Sequence, residues 1–452
     1  MSAHVISAAN MHQHLQHLCE RIGTRLAGTR AEAEGAAYIA AQYRKLGLKT
    51  EIQEFPCITW TCSRADFAAQ LGGRWQDVPI QANTQSPSTE GELDTELVYL
   101  ETAQVQDTEG KDLRGKVGLL FGSAYASVER MERLCNSGLA ALLYVDDRFP
   151  FYWRVASGLI AGWIDLLTIP TATIPYMHAW DLVRQGVKRV RLNLQMDNFR
   201  SHSQNVVASL PGKRPLPPLV LGGHHDSVAL GVGAEDDGTG VVAVLEIARL
   251  MRDLEPLRPI QFVSFGWEEN LSEGARNYVI HPANDAANTA FMFNFDSLGS
   301  WLGNNQAHCT GDRAVRKFVA DHYRRRRYVA DVTGDVSPFS DHFAFNMLGV
   351  PSVWFHRINF PGSRFYHHSE YDQMDVINFD QLAETTQAAA DMVLDLAQRP
   401  ELPFPSTIPA TQQRVIAKHR RELYDCICDW RQPGLMRPVN KPCLTETSRS
   451  GS

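Results

Sequence analysis

Apolar residues recur along the chain with two different spacings, and these spacings predict which segments are helices and which are strands. Between residues 11 and 48 the apolar positions follow a helical repeat that is broken at GTRLAGT, which predicts two helices. Residues 49–55 alternate apolar and polar side chains, which predicts a strand. We therefore expect the chain to open with two helices followed by a strand.

Between about residues 58 and 200 the apolar runs become shorter and are punctuated by Gly and Pro. A helical segment at 127–138 ends just before an apolar run at 140–147. This pattern of short apolar runs with one helical segment predicts a small, separate α/β unit. The runs that predict strands here are LVYL, KVGLLFG, AALLYVDD and VRLNLQM.

After residue 200, segments with strand and helix patterns alternate, from NVVASLPG through VVAVLEIARLMRDL to AFMFNFD. This order predicts an α/β fold with three layers, in which a mostly parallel, mixed sheet carries helices on both faces. A smaller, β-rich α/β domain is expected to be inserted into it. The predicted divisions are a discontinuous main domain (1–58 and 201–400), the inserted domain (59–200) and a C-terminal extension (401–452).

Acidic residues and histidines follow directly after the predicted strands. LVLGG runs into His224, FVSFGW runs into Glu268 and Glu269, and FMFNF runs into Asp296. Ligands of such sheets bind beyond the carboxyl ends of the strands. We therefore expect these side chains to form one site.

So many like charges close together need a cation among them. Zinc takes imidazole nitrogen and carboxylate oxygen, and a hydrolytic site for two metals needs one bridging carboxylate plus a histidine and a further carboxylate for each ion. Asp226, two residues after His224, is suited to accept the other ring N–H of that histidine. Adjacent residues at a strand end point in opposite directions, so Glu268 and Glu269 are expected to divide acid–base work from metal binding.

Six motifs, in this order and spacing, resemble the M28 family of binuclear zinc peptidases. The motifs are GGHHDSV, GAEDDGTG, GWEENLSEGARNYV, FNFDSLG, SDHFAFNMLGVPS and YHHSEYD. The resemblance covers about residues 12–58 and 203–397, including opening helices similar to those of the family. The intervening segment resembles the protease-associated domain that is often inserted there. The fold implied is that of the zinc exopeptidases.

The resemblance implies two zinc ions as cofactors and a role for each site residue. The implied ligands are His224 and Asp296 for one zinc, Glu269 and His368 for the other, and Asp236 as the bridge between them. The implied general base is Glu268. His368 is chosen over His367 because its spacing to Asp372 fits the family pattern.

The chain departs from the family pattern at two places. Glu235 stands where the family commonly has Asn. His367 stands directly before the last ligand, where many members have the Tyr that helps to stabilise the oxyanion, and Tyr366 lies one place earlier. Either side chain is a candidate for that role. The resemblance also places Asp341 near the substrate, although Asp341 and Asp237 are both suited to cap a following helix.

Composition narrows the range of partners. The chain of 452 residues carries a net charge of -7, which argues against broad binding to nucleic acid or to an anionic membrane. The N-terminal sequence resembles neither a secretory signal nor an anchor, and the cysteines are scattered, which predicts free thiols and a cytoplasmic location. Cys426, Cys428 and Cys443 match no common zinc spacing with His419, and the run RRRR at 324–327 is expected to be a solvated helix end.

These observations predict a zinc-dependent exopeptidase, most simply an aminopeptidase, acting on peptides or small amides. A carboxypeptidase or dipeptidase remains open because Arg357 or Arg364 could hold a carboxylate. A glutaminyl cyclase with a single zinc and a non-catalytic binding relative are further alternatives, and the full set of ligands argues against both. Specificity is expected in the loops 300–310, 335–345 and 357–366.

Overall fold

The structure is a computed structural model that describes residues 5–122, 127–147, 150–157, 166–359 and 366–424. Its α-helices are α1 (Ala8–Gln16), α2 (Arg30–Lys45), α3 (Val105–Thr108), α4 (Val128–Cys135), α5 (Tyr176–Arg184), α6 (Thr239–Met251), α7 (Glu273–Ile280), α8 (Arg313–Arg326), α9 (His342–Met347), α10 (Phe379–Ala397) and α11 (Ala410–His419). Short 3-10 or π-helical turns cover His17–Ile22, Ala234–Gly238, Ala286–Asn288, Met374–Val376 and Arg420–Tyr424.

The strands alternate with these helices along most of the chain. They are β1 (Lys49–Leu71), β2 (Arg74–Asp77), β3 (Gln81–Ala82), β4 (Leu93–Tyr99), β5 (Val117–Phe121), β6 (Ala141–Val145), β7 (Thr171–Ile174), β8 (Arg189–Leu210), β9 (Leu219–His224), β10 (Ile260–Phe265), β11 (Phe291–Phe295), β12 (Asn304–Thr310), β13 (Asp331–Thr333) and β14 (Ser352–Ile358).

A mixed sheet forms the middle of the main part of the molecule, in the order β13-β12-β14-β11-β9-β10-β8, with β1 also paired to β8. The central strands β10, β9, β11 and β14 are parallel. β8 runs antiparallel to β10, and β12 runs antiparallel to β14 but parallel to β13. The predicted three-layer α/β fold with a mostly parallel, mixed sheet is therefore confirmed. Because β9, β10 and β11 are parallel neighbours, their carboxyl ends lie at one edge.

Both faces of this sheet are covered by helices because the buried strands are apolar on both sides. In β9, Leu219 and Leu221 join the core that contains residues of α1, α2, α6, α8 and α10. Val220 points the other way, into the core shared with α7, α9 and α11. Successive residues of a strand point to opposite faces, so an unbroken apolar run such as LVL is what a doubly covered strand requires.

Two long antiparallel strands connect the main part of the molecule to the segment predicted as an inserted domain, called here the insert (residues 59–200). β1 and β8 pair continuously from Lys49 opposite Ser209 to Ala69 opposite Val190, with a register shift near Cys62. The sequence predicted only short strands at both places. Residues 61–64 are exposed, so the middle of the ribbon lacks the apolar alternation that signals a strand.

Beyond the ribbon, the insert forms a sheet in the order β4-β5-β6-β7-β3. β4 to β7 are parallel, and their apolar residues form a separate core with α5. The strands β4, β5 and β6 and the helix α4 coincide with the runs predicted there. The exact domain limits stay a prediction, because residues 58 and 200 face each other within the continuous ribbon.

The C-terminal extension lies against the main part of the molecule. Ile408, Ile416 and Tyr424 are buried in the same core as α7 and α9. The three cysteines considered with His419, Cys426, Cys428 and Cys443, lie outside the described residues. Every helix in the described ranges is too short or too polar to cross a membrane. The arginine run at 324–327 is exposed at the end of α8, as predicted.

A candidate metal centre at the strand ends

The sheet brings the predicted ligands together because each follows the carboxyl end of a strand or lies in a loop above it. Groups of three metal-binding side chains, with ligand atoms within 4.8 Å of one another, form at this edge. These groups are Asp236 with His367 and His368, His224 with Asp236 and Glu269, and His224 with Asp237 and Asp296. Each of the five predicted ligands belongs to at least one group.

Asp236 lies in the middle of the cluster, and its two carboxylate oxygens face different sides. Oδ1 is 3.1 Å from Nε2 of His224. Oδ2 is 2.6 Å from Nδ1 of His367 and 3.5 Å from Nε2 of His368. The peptide bond between Asp236 and Asp237 is cis. A carboxylate that faces two separate sets of donors has the geometry required of a bridge.

One side of the cluster is built from Glu269 and His368. Oε2 of Glu269 lies 2.8 Å from Nε2 of His368. The other oxygen, Oε1, is buried and has no hydrogen-bond partner among the described residues. A buried carboxylate oxygen without a partner is costly unless something else satisfies it, so this atom is suited to a metal ligand.

The opposite side is built from His224 and Asp296. Asp296 accepts hydrogen bonds from the hydroxyl groups of Ser297, at 2.8 Å, and Ser340, at 2.6 Å. Asp237 accepts backbone N–H groups from His224, Gly240 and Ser297. Its bond to Gly240 reaches the first turn of α6, and the other two tie the ends of β9 and β11 together.

Asp226 links His224 to the two glutamates. Its Oδ1 is 3.4 Å from Nδ1 of His224, and the same nitrogen is 3.2 Å from the backbone oxygen of Asp226. The carboxylate also accepts the backbone N–H of Glu268 at 2.9 Å and of Glu269 at 3.2 Å. One buried carboxylate therefore positions the end of β9 against the segment that follows β10.

Glu268 and Glu269 have different partners, but the reason is not the one predicted. β10 ends at Phe265, so the alternation of a strand does not reach the glutamates, and Trp267 between them and the strand has a φ of 54°. Oε2 of Glu268 is 3.8 Å from Nε2 of His224, and Oε1 accepts from the hydroxyl of Ser272 at 3.0 Å. The side chain of Glu268 is 13% exposed, compared with 1% for His224, so Glu268 faces the open side of the cluster.

The two oxyanion candidates lie in different surroundings. His367 is part of the cluster, stacked on His368 with ring centroids 3.6 Å apart. The ring of Tyr366 lies in an aromatic group instead, 6.1 Å from Trp153 and 5.9 Å from Tyr371. The ring of His367 contacts the carboxylate of Asp236 through Nδ1.

Asp341 is not a helix cap. It stands at the start of α9, but its backbone is already helical, with φ −57° and ψ −29°, and its side chain makes no capping bond. A capping residue needs an extended backbone to direct its carboxylate at the free N–H groups. Both carboxylate oxygens are buried without a hydrogen-bond partner in the described part of the chain, and Asp341 interacts electrostatically with Glu268 and Asp296.

The pKa values of Glu268, Glu269 and His368 are all raised by their surroundings in the cluster. Burial, reinforced by Asp296 and Glu269, raises the pKa of Glu268 well above its ordinary value, with His224 opposing the shift. Burial also raises the pKa of Glu269. Burial alone would lower the pKa of His368, but Glu269 and Asp236 outweigh it and raise that pKa to about 9. Without a metal, the cluster therefore holds protons that a divalent cation would displace.

Several residues that support the site were not predicted. The guanidinium of Arg25 is buried and donates to the backbone oxygens of His225, Val232 and Gly233, which holds the glycine-rich loop in place. Asp372, noticed only for its spacing to His368, accepts the backbone N–H groups of Glu235 and Asp236 at 2.7 and 3.2 Å. Arg25 lies in IGTRLAG, a segment that the family resemblance includes but to which the sequence analysis gives no role at the site.

His225 faces away from the cluster, as expected of a neighbour of the ligand. Its Nδ1 is 3.0 Å from the hydroxyl of Ser264, and its Nε2 is 4.0 Å from Glu32. Burial lowers the pKa of His225 to about 3. This histidine is therefore neutral and is not part of the cluster.

The donor set fits zinc. Imidazole nitrogens and carboxylate oxygens are the ligands that zinc takes in hydrolytic sites. The buried Oε1 of Glu269 and the Nδ1 atoms of His224 and His368, which both face oxygen acceptors, add the further features expected of zinc ligands. The chemistry of these side chains therefore fits a zinc site.

Comparison with known proteins gives consistent matches. Residues 205–393 match the family model of peptidase family M28. The chain is 26% identical to aminopeptidase YwaD of Bacillus subtilis over 358 residues, which cover 77% of this chain and 75% of that protein. It is 25% identical to probable leucine aminopeptidase 2 of Aspergillus fumigatus over 350 residues, covering 73% of this chain and 67% of that protein.

Solved structures share the fold over most of the chain. The aminopeptidase from Aneurinibacillus sp. strain AM-1 superposes with a TM-score of 0.72 at 25% identity, covering 90% of this chain and 98% of that one. BSAP, a zinc aminopeptidase from Bacillus subtilis, superposes with a TM-score of 0.71 at 22% identity, covering 90% and 99%. The likeness therefore extends beyond the segment matched by the family model and includes much of the insert.

Proposed function

Because this chain is a metallopeptidase that belongs to peptidase family M28, we propose that it is an aminopeptidase with two zinc ions, acting on peptides or small amides. The observation that carries the proposal is the position of Asp236, whose two oxygens face His224 on one side and the histidine pair 367–368 on the other. A site for one metal would not need a carboxylate directed both ways.

The donors divide into two sets around that bridge. His224 and Asp296 would hold one zinc, and Glu269 and His368 would hold the other, with Asp236 shared. His368 is favoured over His367 because its Nδ1 faces the backbone oxygen of Ala156, which leaves Nε2 free to coordinate.

The charge of the cluster favours a substrate with a free amine. Acidic side chains outnumber the histidines at this edge, and Asp341 adds a further buried carboxyl group beside Glu268. Arg357, the described candidate for binding a carboxylate, donates instead to the backbone oxygen of Ser300 and to Asn305, both at 2.8 Å. Arg364 lies outside the described residues. A positively charged terminus is therefore the better match than a carboxylate.

Bound zinc would supply Lewis acidity, polarising the scissile carbonyl and making a water molecule more acidic. Glu268 is partly exposed on the open side of the cluster and is anchored through Ser272, so its carboxylate would accept the proton of the attacking water. Glu268 would then return that proton to the departing amine. His367 would donate a ring N–H to the oxygen that gains negative charge.

The substrate class can be tested with matched pairs of small amides. Zinc-loaded protein should hydrolyse leucine p-nitroanilide and leucyl dipeptides, and blocking the amine by acetylation should abolish turnover. Dipeptides with an amidated carboxyl end should remain substrates. Cleavage of N-acetylated dipeptides that requires a free carboxylate would overturn the assignment in favour of a carboxypeptidase.

The role of Glu268 can be tested by replacement with Gln, which keeps the shape of the side chain and removes its basicity. General acid–base catalysis contributes about 10² to 10⁴-fold, so E268Q should lower kcat by that factor while both zinc ions stay bound. Metal analysis of the same sample separates the two effects. Full activity in E268Q, or one zinc per chain in the saturated wild type, would contradict the mechanism; the second result would favour a cyclase.

A further inference from the structure

A short segment of the insert crosses to the candidate zinc site and pairs with the loop that carries His368. This segment, Phe151–Ala156, is called here the strap. Val155 forms an isolated antiparallel bridge with Ser369, and Val155 is buried. Arg154 of the strap donates to Glu370 at 3.2 Å. The strap is therefore in register with residues 368–370 over several consecutive positions.

His368 itself is held by the strap at two points. The backbone N–H of Ala156 donates to the backbone oxygen of His368 at 2.8 Å. Nδ1 of the His368 ring is 3.2 Å from the backbone oxygen of Ala156. A backbone oxygen can only accept, so this contact requires a hydrogen on Nδ1. In the neutral ring that binds a metal, the lone pair then lies on Nε2, which faces Glu269 and Asp236.

The backbone of His368 also needs outside support. Its φ is 60°, a left-handed conformation that side chains other than glycine rarely adopt. Such conformations persist where surrounding contacts determine them. The nearby aromatic rings add to these contacts, since Trp153 of the strap packs edge-on against Tyr371 at 5.5 Å.

We propose that the strap is a positioning element of the zinc site, so that the insert completes the His368 side and the site is incomplete without it. The proposal rests on the proposed function, because it assumes that His368 binds zinc. The strap fixes the tautomer and the location of His368 through Ala156, while His224 obtains the same support from Asp226 in its own loop. Weakening the strap should therefore affect one zinc and not the other.

The direct test is Ala156→Pro in the full chain, with Ala156→Gly as the matched control. Proline removes the N–H that His368 accepts and restricts the backbone of Val155, whereas glycine keeps both the donor and the acceptor. Groups that orient metal ligands typically contribute about 10 to 100-fold to metal affinity. We expect the dissociation constant of one zinc to rise by about that factor in A156P, with the other unchanged and A156G like the wild type.

The measurement is a titration with zinc against a chelating indicator, combined with zinc per chain by mass spectrometry. Circular dichroism shows whether A156P folds. If A156P does not fold, the variants R154E and R154E/E370R replace it in the zinc titration. R154E places two carboxylates beside each other, and the double variant restores the attraction between opposite charges. One weakened zinc in R154E, recovered in the double variant, supports the strap.

Three outcomes would overturn the proposal. Wild-type affinities for both zinc ions in folded A156P, or in R154E where A156P is unfolded, would remove the strap from the site. Equal weakening of both ions would show a general effect on the fold. Fewer than two zinc ions in the wild type would overturn both this proposal and the binuclear site, whereas failure of the strap variants alone would leave the proposed function intact.

Discussion

The two histidine sides of the candidate centre are built in different ways. His224 is the last residue of a central strand, is 1% exposed, and receives its support from Asp226 two residues away. His368 lies in a loop, is 17% exposed, and is held by a segment more than 200 residues distant in the chain. One side is thus fixed by the sheet and the other by a long-range contact. Such a centre can keep one position rigid while the other depends on the insert.

Removing the bridge should have the largest effect, because it belongs to both sides. Replacement of Asp236 with Ala takes away the oxygens that face His224 and His368. We expect D236A to lose both zinc ions and to be less active than E268Q. Zinc per chain and kcat/KM measured on the same sample check this. Retention of one tightly bound zinc in D236A would show that the two sides do not share this carboxylate.

Removing each histidine separately should show the difference between the two sides in stability. Without metal, H224A leaves Asp226 and Asp236 buried without their cationic partner, and breaking a buried pair costs about 3–5 kcal/mol. H368A should cost less, about 1.5–3 kcal/mol, which is the range for a hydrogen bond to a charged group, because the pair of His368 and Glu269 is less deeply buried. Urea denaturation in the presence of EDTA measures both values. Equal losses would mean that the sheet does not fix the His224 side more firmly.

Changing the support of His224 should have a smaller effect than removing His224. Replacing Asp226 with Asn keeps the shape of the side chain but removes its charge. The hydrogen bonds from the backbone N–H groups of Glu268 and Glu269, and the contact with the ring of His224, should become weaker. We expect a fall of about 10 to 100-fold in zinc affinity on this side, with a comparable fall in kcat/KM. Asp253→Asn, at an exposed position, is the control. An unchanged zinc affinity in D226N would remove Asp226 from the support of the site.

The last prediction concerns the pH dependence of stability and a residue behind the His224 side. Burial, together with the charge of Asp226, raises the pKa of Glu32 from its ordinary value of 4.5 to about 8, so the folded protein holds an extra proton between these values. The free energy of unfolding should therefore fall as the pH rises from about 4.5 to 8. E32Q should reduce this slope by up to about 1.4 kcal/mol per pH unit.

The control for this measurement lies on the same helix. Glu34 is half exposed and paired with Arg30, so E34Q should leave the slope unchanged. Denaturation in EDTA at a series of pH values compares the three proteins. The same slope in E32Q and in the wild type would show that Glu32 does not carry the proton.

The His224 side could be predicted from sequence because its ligands lie at or directly after strands that the sequence pattern identifies. An apolar run identifies a buried strand, and parallel strands place the residues at their ends on one edge. His224 and Asp296 follow from that rule, and their positions in the structure agree with it. The prediction that strand alternation separates Glu268 from Glu269 was wrong. β10 ends before the two glutamates, so their different directions come from Asp226 and a positive φ at Trp267, which no strand pattern contains.

The His368 side could be predicted only in part. The spacing of His368 to Asp372 identified the histidine through the family resemblance, but FYWRVA contains no motif that links it to His368. Pairing between segments so far apart depends on how the ribbon of β1 and β8 places the insert, and the sequence predicted only short strands there. The capping role considered for Asp341 also failed, because the backbone of Asp341 is already helical and its side chain makes no capping bond.

The most direct test of the account is an anomalous difference map, measured at the zinc absorption edge, from crystals of the zinc-loaded protein. Ions that share a carboxylate lie about 3.5–4 Å apart. The account predicts two peaks at that separation, one beside His224 and Asp296 and one beside Glu269 and His368, with Asp236 between them. A single peak, or a second peak bound through His367 with His368 turned away, would contradict it.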